Sequence, residues 1–176
     1  MNIVFTGFMG TGKSSVGKIT AEKLDRLFFD TDSMIEDSCG ISISEIFKNS
    51  GEDVFRAMES ETVELVAGMD DIVISCGGGV VLNPKNIKKL QKNGIVINLF
   101  ASPEHIFKRI SENDKRPLIN RALDPLDEIK KLMEQRKNAY KNCDFAFNTE
   151  GLTPEQSVLE ILSDVNIQKM IKRGVR

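Results

Sequence analysis

The sequence predicts an α/β fold built on a mostly parallel sheet. Five short runs of apolar, β-branched or aromatic residues alternate with stretches of helical periodicity. The runs carry few polar residues before their C-terminal ends, as strands covered on both faces do. Four helix starts are marked by a capping residue followed by proline. These features describe βαβ units joined by right-handed crossovers.

The first strand is expected at 2–7, "NIVFTG", followed by a helix beginning near 13. A second strand, "LFFDTD" (27–32), leads into helices near 33 and 43. The third, "DIVISCGGG" (71–79), precedes a helix at "NP" (83–84). The fourth, "GIVINLFA" (94–101), precedes one at "SP" (102–103). The polar segment 111–124, "SENDKRPLINRALD", has no clear periodicity and reads as a loop or lid. A helix follows "DP" (124–125), then the strand "DFAFNT" (144–149) and a helix at "TP" (153–154), where Thr153 and Gln156 fit a capping box. The ending "MIKRGVR" reads as a frayed basic tail. There is no internal repeat or low-complexity stretch.

The 176 residues suit one domain, 1–176. With 40% hydrophobic and 28% charged residues, a core can form beneath a well-solvated surface. A net charge of −2 argues against a general nucleic-acid binder. Charged residues interrupt every apolar run before membrane-spanning length, and the N-terminus lacks the basic region and cleavage site of a signal peptide. Cys39, Cys76 and Cys143 lack metal-like spacing and read as free thiols of a reducing cytoplasm. His105 is expected to be solvated, and the Met and Phe residues to serve the core.

"GFMGTGKS", Gly7 to Ser14, fits G-x-x-x-x-G-K-[ST] between an expected strand and an expected helix, the context this phosphate-binding motif requires. Gly7, Gly10 and Gly12 let the backbone fold tightly, and N–H groups from Gly10, Thr11 and Gly12 onward can face an anion. The helix dipole points to the same spot. Lys13 supplies a charge for β- and γ-phosphates, Ser14 a hydroxyl for Mg²⁺, and Ser15 a further hydroxyl that could face phosphate.

Asp30 and Asp32 share one face if the second strand persists to 32, a placement suited to Mg²⁺ and to accepting a hydroxyl proton. The alternative makes Asp32 a helix N-cap. Gly77 to Gly79 end the third strand where related loops often hold a metal-binding Asp; Ser75 is the polar residue there. Bare N–H groups at this point could meet an anionic or hydroxylated substrate, or form a plain turn. Arg56, Arg116 and Arg136 suit carboxylate or phosphate, although composition alone does not single them out.

In order, "GFMGTGKSSVG", "FFDTD", "FRAMESE", "SCGGG", "RPLI" and "RKNAY" resemble the shikimate kinase family, along residues 2 to about 162. The resemblance implies a P-loop three-layer, nucleoside-monophosphate-kinase-like fold with a five-stranded parallel sheet of order 2-3-1-4-5. It also implies a substrate-binding helical region at about 32–60 and a mobile lid at about 111–123. The implied reaction moves the ATP γ-phosphate to the 3-hydroxyl of shikimate, on the path to chorismate and aromatic amino acids, with Mg²⁺ as cofactor. Under it Lys13 binds phosphate, Ser14 binds Mg²⁺, and Asp30 supports the metal through water. Asp32 is the candidate base. Arg56 and Arg136 clamp the shikimate carboxylate, Gly78 donates its backbone N–H, and Glu59 orients the arginine. Arg116, in the lid, reaches the transferring phosphate, and Arg109 stacks on adenine. Asn148 stands where the family usually carries Asp, and the lid has its own sequence outside "RPLI".

ATP/ADP and shikimate are therefore the expected partners of a monomeric cytoplasmic enzyme. Two other readings remain. A kinase for another hydroxy acid such as gluconate would suit the arginine set poorly. A non-catalytic nucleotide- or metabolite-binding module should have lost Lys13, Asp32 or Arg116, and all three are present.

Overall fold

The computed structural model describes residues 1–111 and 124–173. Five parallel strands form one sheet: β1 (Asn2–Gly7), β2 (Leu27–Asp30), β3 (Ile72–Ser75), β4 (Gly94–Phe100) and β5 (Phe145–Asn148). Their spatial order is β2-β3-β1-β4-β5, the expected one. β1 lies at the centre, in register with Val73–Ser75 on one side and with Gly94–Leu99 on the other.

Alternation along the strands builds two cores. Ile3, Phe5, Val73, Ile95, Ile97 and Leu99 face α1 (Lys13–Leu24), α7 (Pro154–Ser163) and α8 (Val165–Arg173). Val4, Ile72, Ile74 and Val96 face α3 (Ile43–Ala67) and α4 (Pro84–Lys92). Each fully buried Val, Ile or Phe side chain contributes about 1.5–3 kcal/mol of transfer free energy, so the central strands anchor the sheet. α2 (Thr31–Cys39) follows directly on the end of β2, and α5 (Pro103–Ser111) and α6 (Pro125–Tyr140) pack on Phe8 and Ala101, just after the ends of β1 and β4.

The capping residues act as read. Asn83, Asp124 and Thr153 accept from backbone N–H groups of the first turns that follow them, and Thr153 with Gln156 forms a capping box. Ser42 and Glu45 form a second one, opening α3. That helix is broken at Gly51, whose φ of 83° and ψ of 174° are not helical.

Three expectations are corrected. β2 ends at Asp30, because its carboxylate accepts from the N–H groups of Asp32 and Ser33 and so starts α2. Asp30, not Asp32, is therefore the cap, and the two acids do not share a strand face. β3 ends at Ser75, so Gly77 to Gly79 form a turn that runs into a short 3-10 segment at Val80–Leu82. Residues 170–173 of the supposed tail belong to α8, in which Ile167 is fully buried and Met170 and Ile171 pack against the same core. The expected lid and its Arg116 lie outside the described residues.

Ile167→Ala is expected to lower the unfolding free energy by about 2–5 kcal/mol, measured by urea titration. Val165→Ala, at a position 59% exposed, should change it by less than about 0.5 kcal/mol.

Candidate active site

The loop between β1 and α1 folds around its own carbonyl at Phe8. That oxygen accepts from the Thr11 hydroxyl at 2.7 Å and from Lys13 Nζ at 3.0 Å. α1 is preceded by Gly12 at the N-cap, whose φ of 92° is left-handed, and the helix has no side-chain cap and no acid in its first turn. Its leading N–H groups thus face outward beside the positive end of the helix dipole. They open on a cleft of about 500 Å³, walled by Gly10 to Val16 and by Arg109, Thr149, Leu152 and Pro154. Arg109 is held in that wall by donating to the carbonyls of Gly10, Thr149 and Leu152, at 3.1–3.3 Å.

Asn148 is exposed and outside the cleft wall; its side-chain oxygen accepts from Glu150 N–H at 3.0 Å and shapes the turn after β5. Thr149 follows it, buried, and ties this turn to the phosphate loop by donating to Thr11 O at 3.1 Å. Sequence reasoning missed Thr149, because its link to Thr11 is made to a backbone atom.

At the opposite end of the loop, Ser14 donates to Asp30 Oδ2 at 2.7 Å, and Ser75 Oγ lies 3.3 Å from Ser14 Oγ. The ends of α1, β2 and β3 thereby assemble two hydroxyls and a carboxylate. This all-oxygen set suits Mg²⁺, which takes one or two protein oxygens and fills its octahedron with phosphate and water. Among the described residues no group of three or more His, Cys, Asp or Glu forms a denser metal site.

The three glycines after β3 let two side chains approach their backbone closely. A Cβ at Gly77 would fall 2.2 Å from Asp32 Oδ1, and one at Gly79 would fall 1.9 Å from Arg56 Nη1. Either clash would move a charged group of the site. Gly78 differs, since a Cβ there would meet nothing nearer than 3.6 Å. The turn is also pinned from outside: Gly77 N–H donates to the Thr31 hydroxyl at 2.9 Å, and the Tyr140 hydroxyl donates to Gly78 O at 2.7 Å. Sequence reasoning missed Thr31 and Tyr140 as site residues.

Arg56 is fixed by two acids. Nη1 donates to Glu59 Oε2 at 3.0 Å, while Nε and Nη2 donate to Glu52 Oε1 at 3.2 and 3.0 Å. A guanidinium has five N–H donors, so two remain for a ligand. Arg136 reaches the same region from α6, with its guanidinium 6.0 Å from the centre of the Phe8 ring. Glu59 is buried between these charges. Burial pushes its pKa up from 4.5 to about 7, with Asp32 adding to the rise and Arg56 and Arg136 opposing it. Burial likewise raises the Cys76 thiol far above its ordinary range, so this cysteine beside the site is inert. The Nε2 of His105 is shielded rather than solvated as expected, and it accepts or donates no hydrogen bond among the described residues.

The structure thus brings Gly10, Thr11, Gly12, Lys13, Ser14 and Ser15 to the cleft with Arg109. It joins Ser14 to Asp30, and it gathers Asp32, Arg56, Glu59 and Arg136 around the turn at Gly78.

A phosphate cradle and an adjoining cationic pocket, both at the carboxyl ends of a 2-3-1-4-5 sheet, belong to a P-loop kinase for a small acceptor. The family model for shikimate kinase matches residues 9–166. A shikimate kinase from Caldicellulosiruptor bescii is 46% identical over 172 residues, 98% of this chain and 99% of that one. The chain belongs to the shikimate kinase family. The solved structure of the shikimate kinase from Acinetobacter baumannii in complex with shikimate aligns with a TM-score of 0.88 at 28% identity, covering 99% of this chain and 95% of that one. A gluconokinase from Sinorhizobium meliloti aligns at a TM-score of 0.66 and 19% identity, over 98% of this chain and 94% of that one, and shares the fold alone.

The raised Glu59 pKa carries a sign. Its contribution to stability is full below about pH 4.5 and is lost as pH rises through about 7. Urea unfolding across this window should therefore show the wild type losing stability relative to Glu59→Gln as pH rises. Parallel profiles would mean Glu59 titrates at its ordinary value.

Proposed function

We propose that this chain transfers the γ-phosphoryl group of ATP to the 3-hydroxyl of shikimate through the residues assembled above. The observation that carries the assignment is the meeting of Asp32, Arg56 and Arg136 around the Gly77–Gly79 turn, one loop away from the phosphate cradle.

ATP lies in the 500 Å³ cleft, its adenine against Arg109 and its phosphates on the N–H groups of Gly10 to Ser15. Lys13 pairs with the β- and γ-phosphates. Ser14 and, through water, Asp30 hold Mg²⁺, which neutralises charge on the phosphates when bound. The acceptor carboxylate lies between Arg56, whose direction Glu59 and Glu52 fix, and Arg136. The Gly78 N–H donates to the acceptor. A Cβ at Gly78 would make ordinary contacts at 3.6–3.9 Å, so the folded chain itself does not require glycine there.

Asp32 accepts the proton of the reacting hydroxyl as the oxygen bonds to the γ-phosphorus and the bond to the β-phosphate oxygen breaks. A loose transition state asks little of the base, so positioning and charge neutralisation do most of the work. Arg116 and the lid at about 111–123 complete this proposal as the groups that meet the transferring phosphate and exclude water. Three free cysteines and a net charge of −2 fit operation in a reducing cytoplasm, away from nucleic acid.

The test is ADP release with ATP and Mg²⁺ in the presence of shikimate, gluconate or no acceptor. Release that depends on shikimate is expected. Release with gluconate alone would overturn the arginine clamp, and nucleotide binding without any release would indicate a non-catalytic module. Lys13→Ala should reduce turnover on the order of 100-fold or more while circular dichroism stays unchanged. Arg136→Ala should raise the KM for shikimate roughly 10- to 100-fold with a smaller effect on kcat, since it removes binding shared by ground and transition states.

A further inference from the structure

We propose that Tyr140 is a positioning residue for the acceptor: its hydroxyl bond to Gly78 O sets the direction of the Gly78 N–H relative to Arg136. The inference rests on the reading that Gly78 and Arg136 both bind shikimate.

Consecutive glycines give a turn unusual conformational freedom, yet a turn that donates one N–H to a ligand must hold that peptide at a fixed tilt. The Gly78 N–H belongs to the peptide joining 77 to 78. The preceding peptide is held at Gly77 N–H by the Thr31 hydroxyl, at 2.9 Å. The following one is held at Gly78 O by the Tyr140 hydroxyl, at 2.7 Å. Gly77 O, on the same peptide as the Gly78 N–H, accepts from Val80 N within the turn, and Gly79 O accepts from Leu82 N. Among the described residues, the carbonyl between them, Gly78 O, is the one reached by a side chain from another helix. The peptide whose N–H would meet substrate is therefore bracketed by two side chains, one from α2 and one from α6.

Tyr140 also stands four residues after Arg136, on the same face of α6. Its bond to Gly78 thus registers the helix that carries one acceptor-binding group against the loop that carries another. Sequence places these groups 58 residues apart, and one hydroxyl joins them. Burial raises the pKa of the phenol, with Arg136 acting in the opposite direction, so the group keeps the proton it donates.

Tyr140→Phe removes the bond and leaves the ring. The KM for shikimate should rise roughly 3- to 10-fold, as for loss of one net hydrogen bond. The kcat and the KM for ATP should stay within about two-fold. An unchanged KM for shikimate would overturn the inference. So would equal losses for both substrates with a lowered Tm, which would mark general loosening. A second measurement does not depend on a variant. The chain has one Tyr and no Trp, so biosynthetic 3-fluorotyrosine gives a single ¹⁹F resonance, from residue 140. Saturating shikimate should shift it and ATP alone should not; a resonance indifferent to shikimate would overturn the proposal. A wild type without shikimate-dependent ADP release would instead overturn the functional reading, and this inference with it.

Discussion

Close approach of bare backbone to charged side chains is the constraint on which the site depends. Five parallel strands deliver their carboxyl ends to one edge of the sheet, where there is little room and a high density of loops. The phosphate loop answers by turning its N–H groups outward through a left-handed Gly12. The turn after β3 answers by omitting Cβ atoms where Asp32 and Arg56 press against it. Both solutions carry an entropic cost in the unfolded chain. The packed strands beneath offset it: β1 is buried along its whole length and braced on both sides.

Charge sets a second condition. A buried carboxylate such as Glu59 is unfavourable unless paired, and here the pairing has a directional result. Glu59 and Glu52 take three N–H groups of Arg56 from two sides, so the guanidinium cannot swing. An arginine on the surface would lose side-chain entropy each time it bound an anion; this one has already lost it on folding. The cost of burying Glu59 shows in its raised pKa, and the gain is a preset donor pair.

Most of the fold was legible, because its signals are local. A cap followed by proline fixes a helix start whatever surrounds it, and the phosphate motif carries its own strand and helix. The failures have physical causes too. Asp30 could extend a strand or cap a helix, and capping won because the Asp32 and Ser33 N–H groups needed an acceptor. The basic look of 170–176 concealed the i, i+3, i+4 pattern of Ile167, Met170 and Ile171 that buries α8. In the site, the phosphate loop could be read directly, whereas Arg56 and Arg136 emerged only through family resemblance. Thr31, Tyr140 and Thr149 were invisible because each acts on a distant backbone atom, and residue type says nothing about such a partner.

The same habit of using backbone partners bears on how tightly the site can hold its ligands. Lys13 donates to Phe8 O, Ser14 to Asp30, and Arg109 to three carbonyls. A ligand that takes the Ser14 proton, or the Lys13 N–H that Phe8 O now holds, exchanges one bond for another instead of adding one. Affinity is then smaller than a census of contacts implies, because each exchange returns only the difference between two partners. The bonds of Arg56 to Glu52 and Glu59 occupy three of its five N–H groups, as the three carbonyls occupy three of those of Arg109. Under the proposed function, selection of one small acid falls on donors whose direction is already fixed, at Arg56 and along the turn it flanks.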